Sequence, residues 1–426
     1  MPVWRINGGR HLCGRIDVQG AKNAVLPIMA ASLVGGGTTH LDNCPHLLDV
    51  DASVEILRYL GCRAVQEGDT IVIDSTGMNR NHIPHGLMMK MRSSVMYMGA
   101  ILARCGEVRL STPGGCELGS RPIDLHLKAL RALGAEITEE GGEVICRAEK
   151  LRGTHINLDF PSVGATENLM LAACAAEGET VITNAAREPE ISDLQCFLNR
   201  KGADIHGAGT PEISINGFSP ISCVEHSVMP DRIAAATYLC AAVSAGGDVM
   251  LGQMNPAHLE TICTCLKEMG CSIVTGRESI RIRSPERLRA PRPMITKPYP
   301  GFPTDAQALL MAACLKAEGT SVFVENIFDS RYRHVDEMRR LGADIRVEGR
   351  VAMVTGTAAL HGAPVTACDL RGGAALVVAG LGAAGETDVI DCGHIGRGYD
   401  DLAGTLTRLG AEVTLIPGEQ CMCIAS

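Results

Sequence analysis

The sequence predicts an α/β protein of two lobes, each built from three copies of one helix–strand–helix–strand–strand unit. Three observations carry that prediction. A glycine followed by a short strand-like run recurs at Gly61, Gly134, Gly202, Gly270, Gly342 and Gly410, 68 to 73 residues apart. An amphipathic stretch of helical period precedes these glycines, as in Asp124 to Leu133, Ile191 to Arg200, Leu259 to Met269 and Arg331 to Leu341. Further upstream in each copy lies a small-residue apolar helix closed by glycine and followed by a strand, as in Leu169 to Ile182 or Leu376 to Ile390.

Each element has a local cause. Glycine just past a last helical turn takes the left-handed conformation that stops a helix. Alanine-rich helices that are apolar nearly all round must be buried, so the strands are expected to cover them. A unit of this size cannot close its own core, so three pack together. Six units then give two lobes that part near Pro220 to Pro230: residues 22–229 as the first lobe, and residues 1–21 with 230–426 as the second. A piece of Leu-x-Gly-x-x-Ile character ends several units, as in Leu151 to Ile156 and Leu360 to Val365. The sixth unit ends without one, yet Leu12-Cys13-Gly14-Arg15-Ile16 stands unattached at the N-terminus. The first ~20 residues are therefore expected to complete the second lobe as edge strands. The chain then crosses twice between lobes, and a cleft between them is where a ligand is expected.

Composition narrows the function. Aromatics are only 3% of 426 residues, so the core must be made of Ala, Val, Leu, Ile, Met and Cys. A net charge of −9 argues against nucleic acid, which demands a clustered basic excess, but not against a small anion held by local arginines. Eighteen cysteines without regular close spacing suit a reducing cytoplasm better than a disulfide scaffold. No charge-free apolar run reaches the ~18 residues of a membrane-spanning helix. The group His40, Asp42, Cys44 and His46 lacks zinc spacing and reads as loop, so no metal is expected. Gly380-Leu381-Gly382-Ala383-Ala384-Gly385 matches a dinucleotide fingerprint, but it closes a helix instead of opening one.

Charged and glycine-rich clusters recur where a unit's first helix begins. They include Lys22-Asn23, Arg92-Ser93-Ser94, Ser162-Val163-Gly164, Asp231-Arg232, Thr304-Asp305 and Asp369-Leu370-Arg371. Helix N-termini favour anions through free N–H groups and the helix dipole. Asp231, Asp305 and Asp369 also read as plain helix caps. The stretch Pro113-Gly114-Gly115-Cys116, followed by Gly119-Ser120-Arg121-Pro122-Ile123-Asp124, sets a thiol on a glycine-rich loop with an arginine near enough to favour the thiolate. An incidental cysteine on an ordinary turn is the alternative.

Those clusters, with Phe160 to Asn168, Glu188-Pro189-Glu190 and Arg397-Gly398-Tyr399, resemble the enolpyruvyl transferase family, and within it the branch acting on UDP-N-acetylglucosamine. The resemblance runs in register from about Ile6 into the last unit. It implies an inside-out α/β barrel (an inverse α/β prism) for each lobe. It also implies transfer of the enolpyruvyl group of phosphoenolpyruvate to the 3′-hydroxyl of UDP-N-acetylglucosamine, the first committed step of peptidoglycan synthesis, without a cofactor. Carried over by position, Cys116 is the general acid, Asp305 the base for the sugar hydroxyl, and Asp369 lies near the reacting carbon. Lys22, Asn23, Arg121, Arg331, Arg371 and Arg397 hold phosphoenolpyruvate, and Lys22, Arg92, Arg121 and Arg397 also stabilise developing charge. Arg92, Arg121, Pro122, Ile123, Asp124, Leu125, Ser162, Val163, Gly164, Asp305 and Ile327 hold the UDP-sugar. Gly396 stands where many relatives carry aspartate, Asp329-Ser330 where many carry Glu-Asn, and Phe160 where one branch carries lysine. Two alternatives remain open. One is the sister enzyme acting on shikimate 3-phosphate, whose glycine-lysine-serine opening is replaced here by Ala21-Lys22-Asn23. The other is a non-catalytic UDP-sugar-binding paralogue.

Overall fold

The computed structural model describes residues 1–111 and 123–417. Its described residues form two compact units: Met1–Gln19 together with the chain from Pro230 onward, and the chain from Gly20 to Met229. The first junction falls between Gln19 and Gly20, two residues before the expected place. Each unit has its own hydrophobic core. Each also has the same construction, with three buried helices in the middle and three four-stranded sheets outside them. This is the inside-out α/β barrel.

In the Gly20–Met229 unit the inner helices are Lys22–Ala31, Tyr97–Cys105 and Val163–Ala173. In the other they are Arg232–Ala245, Thr304–Cys314 and Leu370–Gly382, which pack against one another. Every residue of Arg232–Ala245 is buried, which explains why alanine dominates it: three helices share a narrow centre that large side chains would force apart. The outer helices are amphipathic, and the six repeat glycines beyond them are all left-handed, with φ from +87° to +108°. An alanine there would strain the turn that starts each following hairpin.

The repeat has one more strand than expected. Short strands His82–Ile83, His155–Asn157, Met294–Ile295 and Pro364–Thr366 precede an inner helix and pair in parallel with the strand after it. The unit is therefore strand–helix–strand–helix–strand–strand, and the Leu-x-Gly-x-x-Ile piece is its leading strand. Two or three residues are too few to show the alternation by which a strand is recognised.

The first copy in each unit borrows its leading strand from a distant part of the chain. Cys223–Ser227 pairs in parallel with Thr38–Asp42, and Cys13–Asp17 with Asp248–Gly252. Cys13–Asp17 is an edge strand as expected, but Val3–Asn7 is not. It lies between Glu386–Ile390 and Glu412–Ile416, antiparallel to both, and supplies the last strand of the sixth copy. Its alternating burial, with Trp4 and Ile6 inward, suits a sheet laid over a core on one face. The glycine series Gly380 to Gly385 closes helix Leu370–Gly382 and leads into strand Glu386–Ile390.

Candidate active site

All the described charged clusters lie at the starts of inner helices, either in the first turn or, for Arg92, in a short 3-10 turn Arg92–Met96 leading into Tyr97–Cys105. What they do there differs. Asp231 accepts from the N–H groups of Ile233 (2.7 Å) and Ala234 (3.0 Å), and Asp369 from those of Arg371 and Gly372, both at 2.9 Å. Both cap a helix. Ser162 does the same for Val163–Ala173, accepting from the Ala165 N–H at 3.3 Å.

Asp305 does not cap. It is the second residue of Thr304–Cys314, whose N-cap position is Pro303. Its carboxylate receives Arg331 Nη2 at 2.9 Å on one oxygen and Arg371 Nη2 at 3.5 Å on the other. Arg331 is itself fixed by donating from Nε and Nη2 to the Thr304 carbonyl, at 3.2 and 3.0 Å. It was expected in the following helix, but that helix begins only at Val335, and Arg331 lies in the turn before it. The position is decided by the buried contact with Asp305, which local periodicity cannot express.

Arg371 is held on its other side by Tyr399, whose hydroxyl accepts from Nη1 at 3.3 Å and meets Thr237 Oγ1 at 2.8 Å. Burial works against the charge of Arg371, yet Tyr399, Asp305 and Asp231 together hold it above the usual arginine value. Both guanidinium groups are almost wholly enclosed, whereas 29% of the Asp305 side chain is exposed. The arrangement is a part-exposed carboxylate backed by two fixed guanidinium groups. A general base needs that geometry, and developing negative charge needs such donors.

Behind Arg331 lies His334, fully buried. Burial lowers its pKa to about 4, with Arg331 adding to the shift and Asp369 opposing it. Burial also works against the charge of Asp369, but Arg331, the capped N–H groups and His334 keep its carboxyl below the ordinary value. Asp369 is thus a cap and an anion at once. Arg397 ends a short 3-10 turn, Ile395–Arg397, that includes Gly396. The loop after it is gripped by Gln19, which donates to the Gly398 carbonyl (3.2 Å) and accepts from the Asp400 N–H (3.1 Å).

In the Gly20–Met229 unit Lys22 forms a buried ion pair with Asp49, Nζ to Oδ2 2.7 Å. Asp124 and Leu125 begin the outer helix Asp124–Ala132, with Ile123 at its N-cap, and this helix meets the helix that follows the Ser162–Gly164 turn. His126 joins the two: a Cβ on Gly164 would stand 2.9 Å from its ring, and its Nδ1 meets Asn168 Nδ2 at 2.8 Å. Asn168 also donates to the Val95 carbonyl (3.0 Å), tying in the Arg92 turn. Asn23 is half-buried in the first turn of its helix, and Ile327 is half-buried in a loop of the other unit. Cys116, Arg121 and Pro122 lie outside the described residues.

Residues 6–406 match the family described as EPSP synthase (3-phosphoshikimate 1-carboxyvinyltransferase). The chain belongs to this family. It is 49% identical over 416 residues to UDP-N-acetylglucosamine 1-carboxyvinyltransferase 2 of Caldanaerobacter subterraneus subsp. tengcongensis, covering 98% of this chain and 100% of that one. It is 46% identical to the UDP-N-acetylglucosamine 1-carboxyvinyltransferase of Geobacter metallireducens, covering 96% and 98%. Among solved structures, the enolpyruvyl transferase NikO from Streptomyces tendae superposes with a TM-score of 0.86 at 26% identity, covering 97% of this chain and 98% of that one. EPSP synthase from Acinetobacter baumannii gives 0.72 at 21% identity, over 98% and 100%, and shares the fold.

For this family member the sequence left several supporting residues unnamed. Asp49 reads as an ordinary acid in the first turn of the amphipathic helix Leu48–Tyr59, and only the fold brings it to Lys22. His334 and Glu325 are single polar residues without a motif. The group His40, Asp42, Cys44 and His46 forms no metal cluster. Cys44 is buried, its thiol donates to the Leu41 carbonyl, and burial pushes its pKa up to about 12. Among the described residues no three His, Cys, Asp or Glu side chains are grouped to hold a metal, and no helix is long and apolar enough to cross a membrane.

Proposed function

We propose that this chain transfers the enolpyruvyl group of phosphoenolpyruvate to the 3′-hydroxyl of UDP-N-acetylglucosamine and releases phosphate. The near-full-length identity to enzymes named for that acceptor carries the choice of substrate. The Asp305 cluster supports the chemistry. In the addition step Asp305 takes the hydroxyl proton as the sugar oxygen bonds to the central carbon of phosphoenolpyruvate, while the methylene carbon gains a proton. Elimination then removes a proton from the methyl group so formed, restores the double bond and expels phosphate from the central carbon.

Roles divide by residue. Cys116 supplies the proton to the methylene carbon. Lys22, Asn23, Arg121, Arg331, Arg371 and Arg397 hold the phosphate and carboxylate, and Asp369 stands near the reacting carbon. Arg92, Arg121, Pro122, Ile123, Asp124, Leu125, Ser162, Val163, Gly164 and Ile327 hold the nucleotide sugar. The pairing of Lys22 with Asp49 supports this assignment, because an enclosed ammonium with a fixed partner is pre-aimed at a charged ligand. The product belongs to cell-wall synthesis, and the enzyme acts in the cytoplasm.

Phosphate release from phosphoenolpyruvate, measured with either UDP-N-acetylglucosamine or shikimate 3-phosphate, tests the reading. Release with the nucleotide sugar alone is expected. Release with shikimate 3-phosphate alone, or binding of the nucleotide sugar without release, would replace it by one of the two alternatives.

A further inference from the structure

Asp305 and Arg331 approach each other from different segments, and what fixes both is a third residue. Glu325 follows directly on strand Thr320–Val324 and is 1% exposed. One carboxylate oxygen accepts from Thr296 Oγ1 (2.9 Å), the Ile327 N–H (2.8 Å) and the Phe328 N–H (3.1 Å). The other accepts from Thr304 Oγ1 at 2.9 Å. Its backbone is held as well: its N–H donates to the Arg350 carbonyl, and its own carbonyl accepts from Arg350 Nη1. A side chain so bound has a single orientation.

Three of those four bonds decide the geometry around Asp305. Thr304 is the first residue of the helix that carries Asp305, and its carbonyl is the one that receives Arg331. The Ile327 and Phe328 N–H groups begin the turn that ends at Arg331. One carboxylate therefore fixes both members of the Asp305–Arg331 pair.

The next repeat uses the same device. Asp391 follows directly on strand Glu386–Ile390, is 2% exposed, and accepts from the N–H groups of His394 (2.7 Å) and Ile395 (3.1 Å). Arg397 lies six residues beyond Asp391, as Arg331 lies six residues beyond Glu325. Two buried acids at equivalent places each close a turn that presents an arginine.

We infer that Glu325 is a positioning residue for the Asp305–Arg331 pair, with Asp391 serving the turn of Arg397 in the same way. The inference rests on the proposed roles of Asp305 and Arg331. An E325A chain loses all four of these hydrogen bonds. Its kcat for phosphate release should fall about 10- to 100-fold, as a ~1 Å misplacement of reacting groups does, and its KM for phosphoenolpyruvate should rise because Arg331 is displaced with Asp305. E325Q keeps one oxygen for three donors and turns an amide toward Thr304, whose hydroxyl can then accept. It should retain kcat within about threefold. T304V, which removes only the hydroxyl link, should lose about tenfold in kcat and serves where E325A does not fold.

Hydrogen exchange gives a readout independent of substrate: E325A should speed exchange at Ile327 and Phe328, and D391A at His394 and Ile395. Folded E325A with unchanged kcat, E325Q as impaired as E325A, or unchanged exchange at 327–328 would each overturn the inference. A wild-type chain inactive on UDP-N-acetylglucosamine would instead overturn the proposed function, leaving exchange to judge Glu325.

Discussion

Asp305 and Asp369 both begin a buried helix, and their carboxylates are used differently. Asp369 turns onto the backbone N–H groups of its own helix, while Asp305 turns away to two guanidinium groups. Sequence could place both at helix starts but could not separate a helix cap from an ion-pair partner, because the choice depends on partners 26 and 66 residues away. His334 was illegible for the same reason: nothing local shows that a lone histidine is buried between Asp369 and Arg331. It carries a pH prediction. Its folded pKa, about 4, lies below the unfolded value near 6.5, so the unfolded chain binds the proton first. The stabilising effect of keeping it neutral is complete above ~6.5 and is lost as pH falls toward 4. The thermal unfolding temperature should therefore fall between pH 7 and 5, and an H334N chain should show a shallower slope over that range. Equal slopes in the two chains would contradict this.

At the scale of elements, the glycine stops were legible because a left-handed position has a residue of its own. The leading strands were not, since two or three residues carry no period, and the turn of Arg331 has a helical pattern in sequence although its burial comes from another segment. Gly20 shows how tightly one such junction is built. A Cβ there would lie 1.8 Å from the Asn43 carbonyl oxygen, and Asn43 is itself left-handed (φ 56°) with its amide donating to the Val228 carbonyl at 2.7 Å. Neither side can give way. G20A should cost about 1–3 kcal/mol or more in denaturant unfolding and weaken substrate binding through Lys22, two residues on. Stability equal to wild type would mean that this junction is looser than described.

At the scale of the molecule, the repeat count and the return of the N-terminus were readable in the chain, because six copies with one unmatched piece leave a single way to close the set. The exact station of Val3–Asn7 was not, since an inner strand and an edge strand of five residues look alike in sequence. Its inner place has a consequence. Removing residues 1–7 leaves Glu386–Ile390 and Glu412–Ile416 without the strand that joins them, so the unit from Pro230 onward should lose cooperative melting, while the Gly20–Met229 unit has all its strands. A truncated chain with an unchanged calorimetric transition would rule out this pairing.

The most direct test of the catalytic account is the turnover of a D305N chain that is folded and still binds UDP-N-acetylglucosamine. Asparagine keeps the shape but cannot take a proton, so phosphate release should fall by about 10²–10⁴. Turnover within a few-fold of wild type would contradict the role given to Asp305.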